Sequence, residues 1–337
     1  MLEERIDHLD SVTERKKRSV AIRQIYDLLA DMVDQPQWAA ISRISNRMDS
    51  CGDLVAFKKN IDTQARKLYR ANFCKARLCP MCSWRKSTKN FLFLNEVLKR
   101  AQNSHKGIRF VFLTLTIPNT AMTAQELKTG IQKLLKAYRA FIHHYLERHC
   151  PAYLGAFRNL EITVNWDTFT LHPHLHVILA VDESYFEKGS QSYITHATLV
   201  KVWADLIEEP TAIVSLEAVK EENLAKSLLE LTKYTTKDED IIAAGNQDRS
   251  AEVLEVLHFG LKYVRSISYN GLLKEILKEV KESDLDPDAD VFPELLTVIE
   301  FYRWNGFAAY NFVSERKMSE VDQMTELGKL YDLPPDG

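Results

Sequence analysis

The chain has 337 residues, 45% of them hydrophobic, enough for one large domain or two modest ones with cores of their own. No apolar run approaches the ~20 residues that span a bilayer, and the charged opening Met-Leu-Glu-Glu-Arg-Ile-Asp has no secretory apolar stretch, so a cytoplasmic location with no membrane partner is expected. A net charge of −3 argues against a protein that simply coats nucleic acid, yet Lys and Arg exceed Asp and Glu by 10 within residues 41–100, a localised basic stretch of the kind that meets phosphates or forms a solvated helix face.

Residues 13–47 read as helices, with Ile22, Ile25, Leu28, Leu29 and Met32 at helical spacing and a break at Gln35-Pro36. Residues 51–84 are basic, cysteine-rich and loop-like, and 85–103 form a further helix with Phe91, Leu94, Val97 and Leu98 on its apolar face. Arg109–Ile117 reads as a strand stopped by Pro118. Thr123 with Glu126 opens a helix that runs to Tyr145. Strands follow over 153–165 and 172–181, joined at Trp166-Asp167-Thr168, then a helix at 197–207, a strand at 212–219, a helix at 222–236 and a strand at 261–270. Residues 282–293 read as an acidic linker, and Asn305-Gly306 marks a hairpin beyond it. The order predicts an α+β fold, a mostly antiparallel sheet with flanking helices. Four regions are expected: 1–50 helical, 51–95 cysteine-rich and DNA-contacting, 96–280 catalytic, 281–337 linker and hairpin.

In His172-Pro173-His174-Leu175-His176 alternate side chains share a strand face, so His174 and His176 point the same way. Two imidazoles on one face can chelate a divalent ion. If Asn165 pairs with His172, Glu161 lies opposite His176 and completes a three-ligand site for Mn²⁺ or Mg²⁺. Glu161 depends on that register, and His172 competes with it for the third position. One His-x-His is most often an ordinary strand pair; three histidines in alternation with a carboxylate opposite favour a metal.

On the helix expected over 222–236, Glu230 and Tyr234 are four apart and Lys237 follows on the same side. With an ordinary pKa near ~10, a nucleophilic tyrosine needs a polarised target or a nearby cation, which Lys237 supplies. A neighbouring carboxylate can activate a water in a second step. Such pairs are common on helix surfaces, and this one gains weight from its companions.

Phe112-Leu113-Thr114-Leu115-Thr116, then His172-Pro173-His174-Leu175-His176, then Glu230-x-x-Lys233-Tyr234-x-x-Lys237, with the upstream segment Ala71–Arg85, resemble the initiators of bacterial rolling-circle plasmids, the single-tyrosine plus glutamate branch of the HUH endonucleases. The resemblance covers about residues 50–275. It implies a five-stranded antiparallel sheet with the histidines on a central strand. It also implies metal binding by His174 and His176, attack by Tyr234 at the plasmid origin, a freed 3′-hydroxyl, and water activation by Glu230. Single-stranded or hairpin origin DNA, host helicase and polymerase become expected partners, with a homo-oligomer left open.

Five cysteines, an odd number without an export signal, exclude a disulfide framework. Cys51, Cys74, Cys79 and Cys82 fall within 32 residues and can give four thiolates to a structural Zn²⁺; Cys150 stands apart. Arg70, Lys75, Arg77, Arg85 and Lys86 around them suit phosphate contacts. Two rivals stay open. One is an HUH transposase, whose kind usually carries two tyrosines. The other is a non-catalytic zinc-dependent DNA-binding protein.

Overall fold

The computed structural model describes residues 9–210, 213–219, 224–232, 235–243, 245–282 and 297–317. They form two compact units, one taking in the residues up to Arg85 with those from 297 onward, the other running from Lys86 to Glu282.

Chain order begins with α1 (Leu9–Met32) and α2 (Gln35–Asp49). Asp34 turns extended between them, just ahead of α2, where a proline in the first helical turn is tolerated but could not continue α1. β1 (Leu54–Asn60) and β2 (Arg66–Ala71) follow. Asn60 shapes the turn between them, its Oδ1 accepting from the Asp62 and Thr63 N–H groups at 3.0 and 2.9 Å. α3 is Pro80–Ser104, β3 Arg109–Thr116, β4 Thr120–Ala121 and α4 Ala124–Ala140. Thr123 caps α4 as expected, accepting from the Glu126 N–H at 3.2 Å. A π-helical turn (Phe141–Leu146) runs into α5 (Glu147–His149). β5 (Tyr153–Asn165) and β6 (Thr170–Val181) make the long hairpin, and α6 (His196–Ile207) and β7 (Val214–Val219) follow. Then come α7 (Leu224–Leu231), α8 (Asp238–Ile241), α9 (Gln247–Gly260), β8 (Ile267–Asn270), α10 (Gly271–Glu282), β9 (Thr297–Trp304) and β10 (Tyr310–Lys317).

In the second unit the sheet order is β7-β3-β6-β5-β8, every pair antiparallel, with the short β4 also beside β6 as a sixth strand. The histidine strand is therefore central. Ile178 and Ala180 share its histidine face and are buried with Phe91, Leu94 and Leu98 of α3, Leu228 and Leu231 of α7, and Leu273 and Ile276 of α10. Each large apolar side chain buried there contributes ~1.5–3 kcal/mol. Trp203 of α6, fully buried, donates its indole N–H to the Thr116 carbonyl at 2.7 Å. Of 261–270 only β8 is strand. α9 and α10 were not anticipated, because mixed residues (Gln247-Asp248-Arg249) open one and a glycine, Gly271, opens the other.

In the first unit the order is β10-β9-β1-β2. The cysteine-rich segment is thus not loop-like throughout: β1 is almost wholly buried, and its Leu54 and Ala56 pack with Ile299 and Phe301 of β9. The sequence hid this because two lysines, Lys58 and Lys59, break the apolar run. Buried Glu300 compensates Lys59, accepting from its Nζ at 2.9 Å, from Arg66 Nε at 2.7 Å and from the Tyr302 hydroxyl at 2.9 Å, while Lys58 Nζ lies 4.3 Å from the Tyr69 ring. The Asn305-Gly306 hairpin forms as expected, and Asn305 Oδ1 gathers the Phe307, Ala308 and Ala309 N–H groups at its tip. The expected 282–293 linker lies outside the described residues apart from Glu282. No helix among the described residues is long and apolar enough to cross a membrane.

Candidate functional site

The histidines begin where the apolar packing on β6 ends. His174 and His176 lie on the same face as Ile178, each 8% exposed, and Glu161 of β5 is 2% exposed. The hairpin register differs from the expected one by two residues: Asn165 pairs with Thr170, so Glu161 stands opposite His174 rather than His176. The turn is tighter than supposed, closing as Asn165 Oδ1 accepts from the Asp167 and Thr168 N–H groups at 3.1 and 3.0 Å. A shift of two keeps every side chain on its face, whereas a shift of one would have turned Glu161 away. Its Oε2 reaches diagonally to His176 Nε2 at 2.9 Å and lies 3.7 Å from His174 Nε2.

The ligand atoms of Glu161, His174 and His176 lie within 4.8 Å of one another, and His172 does not join them. His174 Nδ1 donates to the His172 carbonyl at 3.1 Å, leaving its Nε2 turned to Glu161. His176 Nδ1 sits 3.4 Å from Thr114 Oγ1, and its ring stacks on Phe112. His172 Nδ1 is held instead at 2.8 Å by Asn119 Oδ1. Burial, then the nearby His174, lowers the His172 pKa and keeps that ring neutral. Burial alone would raise the Glu161 pKa, but hydrogen bonds from His174 and His176 and their charge outweigh it and hold the carboxyl well below its usual range. One carboxylate and two imidazoles are a donor set that fits a divalent ion and leaves positions open for a phosphate oxygen.

Glu230 lies half-buried on α7; Tyr234 lies outside the described residues. The expected helix to 236 is shorter. α7 ends at Leu231, where Thr232 turns its hydroxyl back onto the Leu228 carbonyl at 2.8 Å. Its own carbonyl accepts from Ser87 of α3. Beyond the tyrosine, the Thr235 carbonyl accepts the Ile162 N–H of β5 at 2.7 Å and the Thr235 hydroxyl meets Ser266 Oγ at 2.7 Å. The chain on either side of Tyr234 is thus tied down, and the following segment pairs with the sheet rather than with α7. Lys237 is consequently not on that helix: it is the extended N-cap of α8, and its Nζ lies 3.5 Å from Glu161 Oε1. Asp240 of α8 was missed by the sequence reading. Burial raises its pKa, the Lys237 charge opposes this, and its Oδ2 is buried without a hydrogen-bond partner among the described residues.

The second cluster is built on the first unit. Cys51, Cys74, Cys79 and Cys82 bring their sulfurs within 4.8 Å of one another, with contacts of 3.5 Å (Cys51–Cys79), 3.6 Å (Cys51–Cys82) and 3.5 Å (Cys74–Cys82). Those separations are too long for disulfides and close to the ~3.8 Å edge of a tetrahedron with ~2.3 Å metal–sulfur bonds. The N–H groups of Cys74, Lys75 and Ala76 donate to Cys51, Cys82 and Cys74 sulfurs at 3.3, 3.2 and 3.4 Å. Ser19 Oγ lies 3.3 Å from Cys79 Sγ. Hydrogen bonds from Cys51, then Cys74 and Cys82, hold Cys79 far below the usual thiol range. A group of thiols competing for protons in this way is suited to a metal. Arg70 lies on β2, its guanidinium 5.2 Å from the Tyr69 ring. Lys75 is exposed and takes a left-handed φ of 60° inside the knuckle, Arg77 is exposed just beyond, and Arg85 and Lys86 lie on α3.

The replication-protein family matches residues 65–305, taking in Cys74, Cys79 and Cys82 of the knuckle, the histidine hairpin and Lys237. The chain belongs to that family. Similar relatives are each called "Protein rep". The one from Bacillus amyloliquefaciens is 32% identical over 81% of this chain and 82% of its own length. Those from Lentilactobacillus hilgardii and Streptococcus pneumoniae are 35% and 31% identical, each over 82% of this chain, and are covered to 87% and 84% of their lengths. No solved structure matches the chain. The motif resemblance to rolling-circle plasmid Rep proteins is thereby borne out, and the protein is a plasmid replication initiator.

Proposed function

We propose that this Rep protein initiates by nicking one DNA strand at the plasmid's double-strand origin with Tyr234. The convergence of Glu161, His174 and His176 within 4.8 Å, with the segment after Tyr234 hydrogen-bonded to β5 beside Glu161, carries the reading. Glu161, His174 and His176 would hold Mn²⁺ or Mg²⁺, which when bound acts as a Lewis acid on the scissile phosphate. The Tyr234 oxygen forms a bond to phosphorus as the bond to the 3′-oxygen breaks. The protein keeps the 5′-phosphate as a phosphotyrosine, and the 3′-oxygen leaves as the hydroxyl that primes synthesis. Lys237 offsets charge gathering on the phosphate. In the terminating cleavage Glu230 takes a proton from water, so one tyrosine suffices. The four cysteines would hold a structural Zn²⁺, and Arg70, Lys75, Arg77, Arg85 and Lys86 contact origin DNA. Host helicase and polymerase then act on the nicked origin.

The test is a denaturing gel after mixing protein, Mn²⁺ and single-stranded oligonucleotides tiling the origin. A covalent adduct that disappears with Tyr234→Phe and with EDTA is expected. Specific duplex binding with no adduct anywhere would leave a non-catalytic zinc-dependent DNA-binding protein as the better account.

A further inference from the structure

The two oxygens of Glu161 have different company. Oε2 faces His176 and His174, while Oε1 lies 3.5 Å from Lys237 Nζ. The Glu161 side chain is only 3% exposed, and a carboxylate so buried requires compensating charge. His176 and His174 face Oε2, and the ammonium at contact range of Oε1 is that of Lys237. A divalent ion among Glu161, His174 and His176 would put two positive charges beside that ammonium, and in a partly buried site like charges at such range repel strongly. The lysine is free to give way: its side chain is 39% exposed and it sits at the extended start of α8 rather than inside a helix. A second carboxyl group is near. Asp240, three residues on, feels the Lys237 charge, and its buried Oδ2 has no hydrogen-bond partner among the described residues. An orphaned buried carboxylate oxygen is costly unless a donor reaches it in another state.

We propose that Lys237 is a mobile counter-ion shared by Glu161 and Asp240, which stands in for the metal at Glu161 and moves toward Asp240 Oδ2 when a divalent ion binds. This rests on the reading of Glu161, His174 and His176 as the metal site. Lys237 thereby weakens metal binding in the DNA-free protein. The coupling is electrostatic and acts between the lysine and the ion directly, so it persists with no DNA present.

The experiment is isothermal titration of Mn²⁺ into DNA-free, zinc-loaded full-length protein, with thermal melting to verify folding. Lys237→Met is expected to bind Mn²⁺ about tenfold more tightly than wild type, and Lys237→Arg, which keeps the charge, to bind like wild type. Asp240→Asn is expected to weaken Mn²⁺ binding, and to weaken it less on a Lys237→Met background, where no lysine needs a second home. Unchanged or weaker binding by Lys237→Met would overturn the proposal, as would an equal effect of Asp240→Asn on both backgrounds. A wild type that binds no Mn²⁺ would overturn the metal reading itself, an outcome distinct from either of these.

Discussion

Cys79 and Glu300 show how single side chains in the first unit carry charge that the surrounding fold is built to hold. Cys79 is fully buried, its sulfur 3.5 Å from Cys51 Sγ and 3.3 Å from Ser19 Oγ. A serine there has no low-lying anionic form to offer a metal, so Cys79→Ser is expected to reduce bound zinc from about one per chain to near zero. Mass spectrometry of the native protein reads this directly, and retained stoichiometric zinc would argue against the tetrathiolate site. Glu300 works in the opposite sense, as an anion amid cations. Burial would raise its pKa, but Arg66, Lys59 and Tyr302 outweigh that and lower it below its ordinary value of 4.5. A depressed carboxylate pKa stabilises the fold above its unfolded value, and that stabilisation is lost as pH falls through the folded one. Glu300→Gln should therefore cost about 2–4 kcal/mol at neutral pH. The gap from wild type should narrow as pH drops below 4.5; denaturant melts at several pH values would show it.

Among the elements, the edge of β5 sets the geometry beside the tyrosine. Leu160 and Ile162 donate their N–H groups to Ser266 and Thr235 carbonyls at 2.8 and 2.7 Å. β8 continues that edge and meets β5 so closely at Gly155 that an added Cβ would lie 2.7 Å from the Asn270 carbonyl oxygen. Backbone atoms cannot move aside as a side-chain tip can, so Gly155→Ala is expected to destabilise the second unit by about 1–3 kcal/mol. Ser266→Ala removes the hydroxyl partner of Thr235 without touching Glu161, His174 or His176. It should lower the rate of adduct formation several-fold while leaving Mn²⁺ affinity unchanged; an equal loss in metal affinity would point to a wider disturbance of β5. The strands of this sheet were legible because alternation and β-branched content mark them, and the Thr123 cap marked α4. The edge strap was not, since Thr235 and Ser266 are 31 residues apart in sequence and only a long-range pairing joins them. The same limit explains β1: Leu54 and Arg303 are partners, yet Lys58 and Lys59 break the strand pattern of β1 taken alone. Glu161 could be picked out because a hairpin is local. Asp240 could not, because nothing in Lys-Asp-Glu-Asp distinguishes the acid that turns inward.

Across the whole molecule the charge is segregated more sharply than its sum of −3 suggests, with the excess of 10 basic groups confined to residues 41–100. Within that span the fold uses some of the charge internally: Lys59 and Arg66 are committed to Glu300. Lys75 and Arg77 are exposed around the cysteine knuckle, and Arg70 is half-buried on β2. If these three meet DNA phosphates, each releases condensed counterions on binding, and the logarithm of affinity falls with the logarithm of salt by about 0.7 to 0.9 for every such contact. Changing Arg70, Lys75 and Arg77 together to Gln is therefore expected to flatten the salt dependence of binding to a non-specific oligonucleotide by about 2 to 3. Zinc content should stay unchanged, because none of the three supplies a thiol. The comparison is between slopes rather than single affinities, which separates lost phosphate contacts from a general loss of fold. A slope equal to that of wild type would mean that the basic excess near the knuckle serves the protein's own structure, and that the DNA path must be sought on the second unit.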